Sequence, residues 1–205
     1  MVAVVDYGMG NLRSVYNAVD LLGYEAKIIN APEELIRYER VILPGVGSFG
    51  ICIKNLCDTG FDQALKEFVK TGKPLMGICL GMQILAGSGV EGGLFQGLNL
   101  IEGEVVHFDV EKYNLNVPHV GWNEFHFKDE THPLVKGIKQ NTAFYFTHSY
   151  HFKAKKEEAV FGTTEYGGLF ISSVIKDNIF ATQFHPEKSQ ESGLKLLKNF
   201  LNWKV

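Results

Sequence analysis

Cysteine is scarce. Cys52, Cys57 and Cys79 are the only three in 205 residues, and an odd, small number cannot staple a chain of this length. A disulfide framework is excluded and a reducing compartment, the cytosol, is the expected location. Long apolar runs are missing too. The longest uncharged stretch, residues 74–90, is broken by Gly77, Gly81, Gln83, Gly87 and Gly89 and falls short of the ~20 apolar residues of a spanning helix. No membrane segment is expected, and with no basic segment before the first apolar run, neither is a secretory signal. Charge of one sign is not in excess: 20 basic against 23 acidic residues leave −3, no field to gather nucleic acid or anionic lipid. Linkers, internal repeats and low-complexity segments are absent, so residues 1–205 are expected to form one domain. What remains, 45% hydrophobic and 21% charged, is the composition of a chain that folds.

The first half alternates short apolar runs with helical patterns. Val2-Ala3-Val4-Val5 reads as a strand; Leu12, Val15, Tyr16, Val19 and Leu22 then recur at helical spacing, with Asn11 as cap candidate and Gly23 as stop. Residues 26–29, 41–43 and 75–78 read as further buried strands, and Phe61, Ala64, Leu65, Phe68 and Val69 as a helix ending at Gly72. Continuous apolar strands joined by helices predict an α/β fold, an open, mostly parallel sheet flanked by helices. Beyond Leu98 longer strands are expected over 98–108, 143–152 and 169–175, then 178–184, giving an antiparallel extension before a C-terminal helix capped by Ser189.

The chemistry concentrates in Gly77-Ile78-Cys79-Leu80-Gly81, an apolar strand leading through Gly-x-Cys-x-Gly into a helical pattern. This is a nucleophile elbow with cysteine in place of serine, where glycines on either side relieve crowding in a strained turn. Cys79 would sit at a helix N-terminus, where the dipole favours thiolate and the Leu80 N–H can hold an oxyanion. A lone cysteine is ordinarily a small buried apolar residue; the paired glycines turn that balance. A thiolate doing acyl transfer needs a base, and His185 is the leading candidate, at the end of a strand with Glu187 two residues on to orient it across Pro186. On its own, His-Pro-Glu is an ordinary turn. The other six histidines read as structural or exposed; His148 and His151, three apart in one expected strand, point to opposite faces and make no metal pair. Cys52 and Cys57 lack zinc spacing. No metal and no cofactor are expected. Pro44-Gly45-Val46-Gly47-Ser48-Phe49-Gly50 follows another strand and can share the mouth of the Cys79 turn. Asp6-Tyr7-Gly8-Met9-Gly10-Asn11 does not complete a dinucleotide fingerprint, because Arg13 replaces its third glycine.

Pro44-Gly45-Val46-Gly47, Gly77-Ile78-Cys79-Leu80-Gly81-Met82-Gln83 and Phe184-His185-Pro186-Glu187-Lys188-Ser189 resemble, in order and spacing, the class I glutamine amidotransferase family. The resemblance implies Cys79 as nucleophile, His185 as general acid/base and Glu187 as the group that orients it. It also implies Val46 and Leu80 at the oxyanion hole, and Gly47, Gln83, Glu91, Ser149 and Tyr150 around the substrate glutamine. Two departures stand out: Glu91-Gly92-Gly93 runs into Leu94-Phe95 where the family has more glycine, and Ser48 replaces a small apolar residue. The motifs 118–123 and 145–150, with the opening 6–11, narrow the likeness to a branch that passes ammonia to a separate (β/α)8-barrel synthase subunit in a heterodimer. Interface candidates carried over are Asn11, His119, Trp122, Asn123 and Lys188, though Trp122 also suits a core. Such a glutaminase is expected to idle until docking orients the backbone of residues 45–47. Three other readings stay open: the same ammonia donor serving a sugar-amidinating synthase, a stand-alone cysteine hydrolase, and a non-catalytic protein with an oxidisable cysteine.

Overall fold

The structure, a computed structural model, describes residues 1–113 and 116–205. In chain order its elements are β1 (Val2–Val5), α1 (Leu12–Leu21), β2 (Ala26–Ile29), β3 (Arg40–Gly45), α2 (Phe49–Thr59), α3 (Phe61–Lys70), β4 (Leu75–Cys79) and α4 (Leu80–Gln83). There follow β5 (Ser88–Gly89), β6 (Phe95–Gln96), β7 (Gly103–His107), α5 (Val110–Tyr113), β8 (His119–Phe127), β9 (Thr142–His148), β10 (Tyr150–Ala154), β11 (Val160–Glu165), β12 (Leu169–Lys176), β13 (Ile179–Thr182) and α6 (Gln190–Asn202).

β2, β1, β3, β4 and β13 lie side by side and parallel. The strands at the centre are apolar on both faces because both are covered. Ala3, Val5, Val41, Leu43 and Leu75 face a core filled from α2 and α3 by Cys52, Leu56, Phe61, Leu65 and Phe68. Val2, Val4, Ile42, Met76 and Ile78 face a second core, closed by Val15 and Val19 of α1 and by Leu196, Leu197, Phe200 and Leu201 of α6. In α3, Phe61, Leu65 and Phe68 stack along one stripe, each fully buried; a buried side chain of that size contributes about 1.5–3 kcal/mol. β12 runs antiparallel to β13 and begins the extension. On one side β10 and β7 follow, with β5 and β6 at the edge, and on the other β11 leads to β8 and β9.

Two of the long strands expected from sequence are not single strands. Of 98–108 only Gly103–His107 is extended. Leu98 and Ile101 are buried instead by folding back on the end of α4, where their amides bond to the carbonyls of Ile84 and Leu85 at 2.8 and 3.0 Å. Residues 143–152 split at Ser149 into β9, paired with β8, and β10, paired with β7 and β12. Burial at Phe144, Phe146, His148 and Phe152 keeps a period of two straight through the break, so the apolar pattern carries no sign of it. His148 and His151 therefore lie on different strands. The strand expected over 178–184 is shorter, Ile179–Thr182. Neither expected cap makes a capping bond: Asn11 and Ser189 occupy the N-cap positions, but their side chains do not bond the helix N–H groups.

Register brings three strand ends level. Gly45 of β3 pairs with Cys79 of β4, and Thr182 of β13 pairs with Ile78. Loops leaving the carboxyl ends of these strands open on one crevice, the usual place for a ligand in an open α/β sheet.

Candidate active site

Cys79 occupies the turn between β4 and α4 at φ 56° and ψ −112°, a backbone conformation that a side-chain-bearing residue adopts only under constraint. The constraint is visible in its neighbours. A Cβ on Gly81 would stand 1.9 Å from the Leu43 carbonyl oxygen, one on Gly77 2.7 Å from that of Gly81, and one on Gly45 2.7 Å from the Gly81 nitrogen. The three glycines let β3, β4 and the turn interlock, and the turn lifts the thiol into a cavity of about 340 Å³. The helix behind it is a single turn of four residues, so its dipole is a weaker source of positive charge than the sequence pattern implied. The stronger source is His185.

His185 is fixed at three points. Its N–H donates to the Tyr145 carbonyl at 2.9 Å, its carbonyl accepts from Ser189 Oγ at 2.6 Å, and its Nδ1 bonds Glu187 Oε1 at 2.9 Å. Ser189 Oγ also accepts from the Tyr145 N–H at 3.0 Å, which is why it is not free to cap α6. The His185 and Glu187 side chains are 2% and 1% exposed. Burial opposes charge on the ring, but the adjoining Cys79 and Glu187 outweigh it and push the pKa up to about 10. The ring thus holds its proton at neutral pH. Nε2 makes no hydrogen bond of ordinary geometry among the described residues, yet Cys79 is near enough to raise the ring's pKa by its charge and by hydrogen bonding.

The same cavity collects the other residues singled out by resemblance. Val46 and Gly47, the latter at φ 98°, line it together with Leu80, Gln83, Glu91, Ser149 and Tyr150. Glu91 accepts from the N–H of Phe49 at 2.8 Å and so caps α2, the task that Ser48 leaves undone. Four participants went unmarked in the sequence. Thr147 and His148 line the cavity, the Thr147 carbonyl accepting weakly from the Cys79 thiol at 3.9 Å. Tyr7 donates to the Pro44 carbonyl at 2.8 Å and braces the glycine loop from below. Gln183, fully buried, donates to Cys79 Sγ at 3.7 Å; an amide just before His-Pro-Glu in an otherwise apolar run was its only signal.

A sequence profile of "Glutamine amidotransferase class-I" matches residues 3–203. The chain belongs to the class I glutamine amidotransferase family. It is 46% identical over 202 residues, 98% of each chain, to "Imidazole glycerol phosphate synthase subunit HisH" of Wolinella succinogenes. To "Imidazole glycerol phosphate synthase subunit HisH 1" of Campylobacter jejuni strain RM1221 it is 50% identical over 202 residues, covering 98% of this chain and 99% of the relative. Among solved structures, "Structure of PurLQS from Thermotoga maritima" superposes with a TM-score of 0.77 at 22% identity, over 98% of this chain and 97% of the other. "Crystal structure of glutamine amidotransferase" gives 0.76 at 22% identity over 98% of both. At that identity the two structures speak for the fold alone.

In this amidotransferase the five interface candidates separate by exposure. Trp122 is 49% exposed beside the 57% exposed Val120, so it is not a core residue. Lys188 is exposed, its Nζ 5.9 Å from the centre of the Tyr145 ring. Asn11 and Asn123 are half-buried, and Asn123 donates to the Glu165 carbonyl at 2.9 Å. His119 is buried, stacked between Phe146 and Tyr166, its Nδ1 3.1 Å from Nε2 of His148. Burial pushes His119 down to about 4 and His148 down to about 3, so both are neutral near pH 7.

Proposed function

We propose that residues 1–205 act as one glutaminase domain in the cytosol, releasing ammonia from glutamine for a (β/α)8-barrel synthase subunit, as the glutaminase half of an imidazole glycerol phosphate synthase heterodimer in histidine biosynthesis. The observation that carries it is the convergence of Cys79 and His185 on one cavity sized for a small amino acid, with Glu187 bonded to the ring behind. Likeness to HisH subunits over nearly the full length supports the pathway.

In this reading the Cys79 thiolate attacks the side-chain amide carbon of glutamine. The N–H groups of Leu80 and Val46 hold the tetrahedral oxyanion, and His185, already protonated, gives its proton to the departing ammonia. Water, activated by the now neutral His185, hydrolyses the thioester and restores the thiol. Glu187 holds the ring's orientation throughout. Gly47, Gln83, Glu91, Ser149 and Tyr150 grip the amino-acid end of the substrate. Ammonia is protonated in water near neutral pH and loses its nucleophilicity, so it passes directly to a docked synthase, which adds it to a phosphorylated ribulosyl intermediate. The exposed Trp122, with Asn11, Asn123 and Lys188, forms the docking face, and His119 supports it from beneath.

The test is incubation with glutamine, synthase and acceptor, following glutamate and imidazole product together. Equal yields of the two, with little glutamate from the chain alone, are expected. Full hydrolysis without the synthase would overturn the reading in favour of a stand-alone hydrolase, and coupling only to a sugar-amidinating synthase would move it to that pathway.

A further inference from the structure

Nothing in the triad explains why a fully buried amide, Gln183, lies against the sulfur. Its orientation follows from a single backbone group. The Tyr150 carbonyl can only accept, and it accepts from Gln83 at 2.8 Å, so the Gln83 group turned toward it is the NH₂. That same Nε2 lies 2.9 Å from Gln183, so Gln183 meets it with its carbonyl oxygen. With its oxygen committed, Gln183 has only its NH₂ left for Cys79 Sγ, 3.7 Å away. Its backbone is equally tied, the N–H donating to the Ser172 carbonyl at 2.8 Å. The opposite orientation would set two donors against each other and two acceptors likewise.

We propose that Gln183 is a donor that stabilises the Cys79 thiolate, its polarity dictated by the Tyr150 carbonyl through Gln83. A hydrogen bond to the charged form of a group favours that form, and this donor cannot rotate away without breaking its bond to Gln83. It complements His185, which must give up its proton during turnover, whereas an amide keeps its own. The inference rests on the glutaminase reading for its purpose, but not for its physics.

Cys79 alkylation by iodoacetamide, read by mass spectrometry against pH in a Cys57→Ser background of the full chain, tests it. Cys52 stays silent, because burial pushes its thiol up to about 12. The titratable groups around the sulfur are His185 and Glu187 after β13, Tyr7 after β1, His148 at the end of β9, Tyr150 at the start of β10 and Glu91 after β5, and all are retained. Gln183→Met keeps the length and removes the donor; the midpoint of the rate profile is expected to rise by about one unit, a tenfold change in proton affinity. Gln183→Asn, which retracts the amide by one methylene, provides the same reading should the Met variant not fold. A folded variant of either kind with an unshifted midpoint overturns the proposal. Glutamate release by the parent with its synthase is measured alongside: failure there overturns the glutaminase reading, whereas an active parent with no shift in the variants overturns this inference alone.

Discussion

At the Cys79 wall of the cavity a Cβ at Gly81 would lie 1.9 Å from a backbone oxygen, whereas at the Val46–Gly47 wall a Cβ at Gly47 would meet only the terminal methyl of Met9, at 2.6 Å. The first contact cannot yield without moving β3; the second can, because the methyl ends a flexible side chain. The Val46 side chain next to it is 40% exposed, while Cys79 is 6% exposed. One wall is thus locked by interlocking strands and the other is free to be set from outside. This division is what the proposed glutaminase asks for: a nucleophile prepared in advance and an oxyanion donor that a docking synthase could set.

The largest effect belongs to the locked wall's chemistry. His185→Gln removes both the proton donor and the charge beside Cys79, and glutamine hydrolysis in the presence of the synthase should fall by roughly a hundredfold to ten-thousandfold in a steady-state assay. A variant retaining most of its activity would break the assignment of acid/base work to that wall. The second effect is on folding. Gly81→Ala should destabilise by about 3 kcal/mol or more, seen in the urea midpoint or as loss of soluble protein. Gly47→Ala, strained by its positive φ and by a Met9 methyl that can move aside, should cost about 1–2 kcal/mol yet lower synthase-stimulated hydrolysis more than it lowers stability. Equal destabilisation by the two would erase the distinction between the walls.

The locked wall was also the legible one. Gly77, Cys79 and Gly81 announce a turn that only glycine neighbours permit, because steric exclusion acts over a few residues and leaves a local mark. The strands of the parallel half, though not their order, followed from short, nearly continuous apolar runs. The antiparallel half hid more. The switch of sheet at Ser149 left the alternation from Phe144 to Phe152 intact, and the apolar residues of 98–101 satisfy their backbone groups on the end of α4, a contact with no local signature. Gln183 was nearly silent: a glutamine just past a strand tells little until the Tyr150 carbonyl and Gln83 are seen beside it. Sequence similarity brought in Gln83, Glu91, Ser149 and Tyr150 where pattern alone would not.

A smaller effect tests the proposed docking face. Trp122 and Val120 lie exposed on β8, and exposed residues carry little folding energy. Trp122→Ala should therefore change stability by no more than about 0.5 kcal/mol, while weakening association with the synthase by roughly tenfold or more, as loss of an aromatic interface anchor does. Titration calorimetry of the two subunits, paired with a urea melt of the free chain, reads both numbers. A Trp122→Ala chain that binds as well as its parent would move the docking face elsewhere.

The smallest expected effect separates the parallel half, which ends at His185, from the antiparallel half by the pH at which each fails. His185 has its pKa raised, to about 10, so its contribution to stability is full below the unfolded value of 6.5 and fades as pH rises toward 10. His148 and His119, on β9 and β8, are lowered to about 3 and about 4, so the unfolded chain takes up protons that the folded chain refuses. Their contribution is full above 6.5 and fades as pH falls toward 4. His151, also lowered to about 4, adds to the same acid limb. Urea midpoints between pH 4.5 and 9.5 should accordingly trace a dome. In His148→Gln the new amide can still donate to the Tyr150 carbonyl but does not titrate, so the acid limb should flatten by the share of one histidine while the alkaline limb stays in place. If the acid limb keeps its slope, burial of His148 is not what makes the antiparallel side sensitive to acid; if the alkaline limb moves instead, the two sides are coupled through Tyr145 and Ser189, which join β9 to His185.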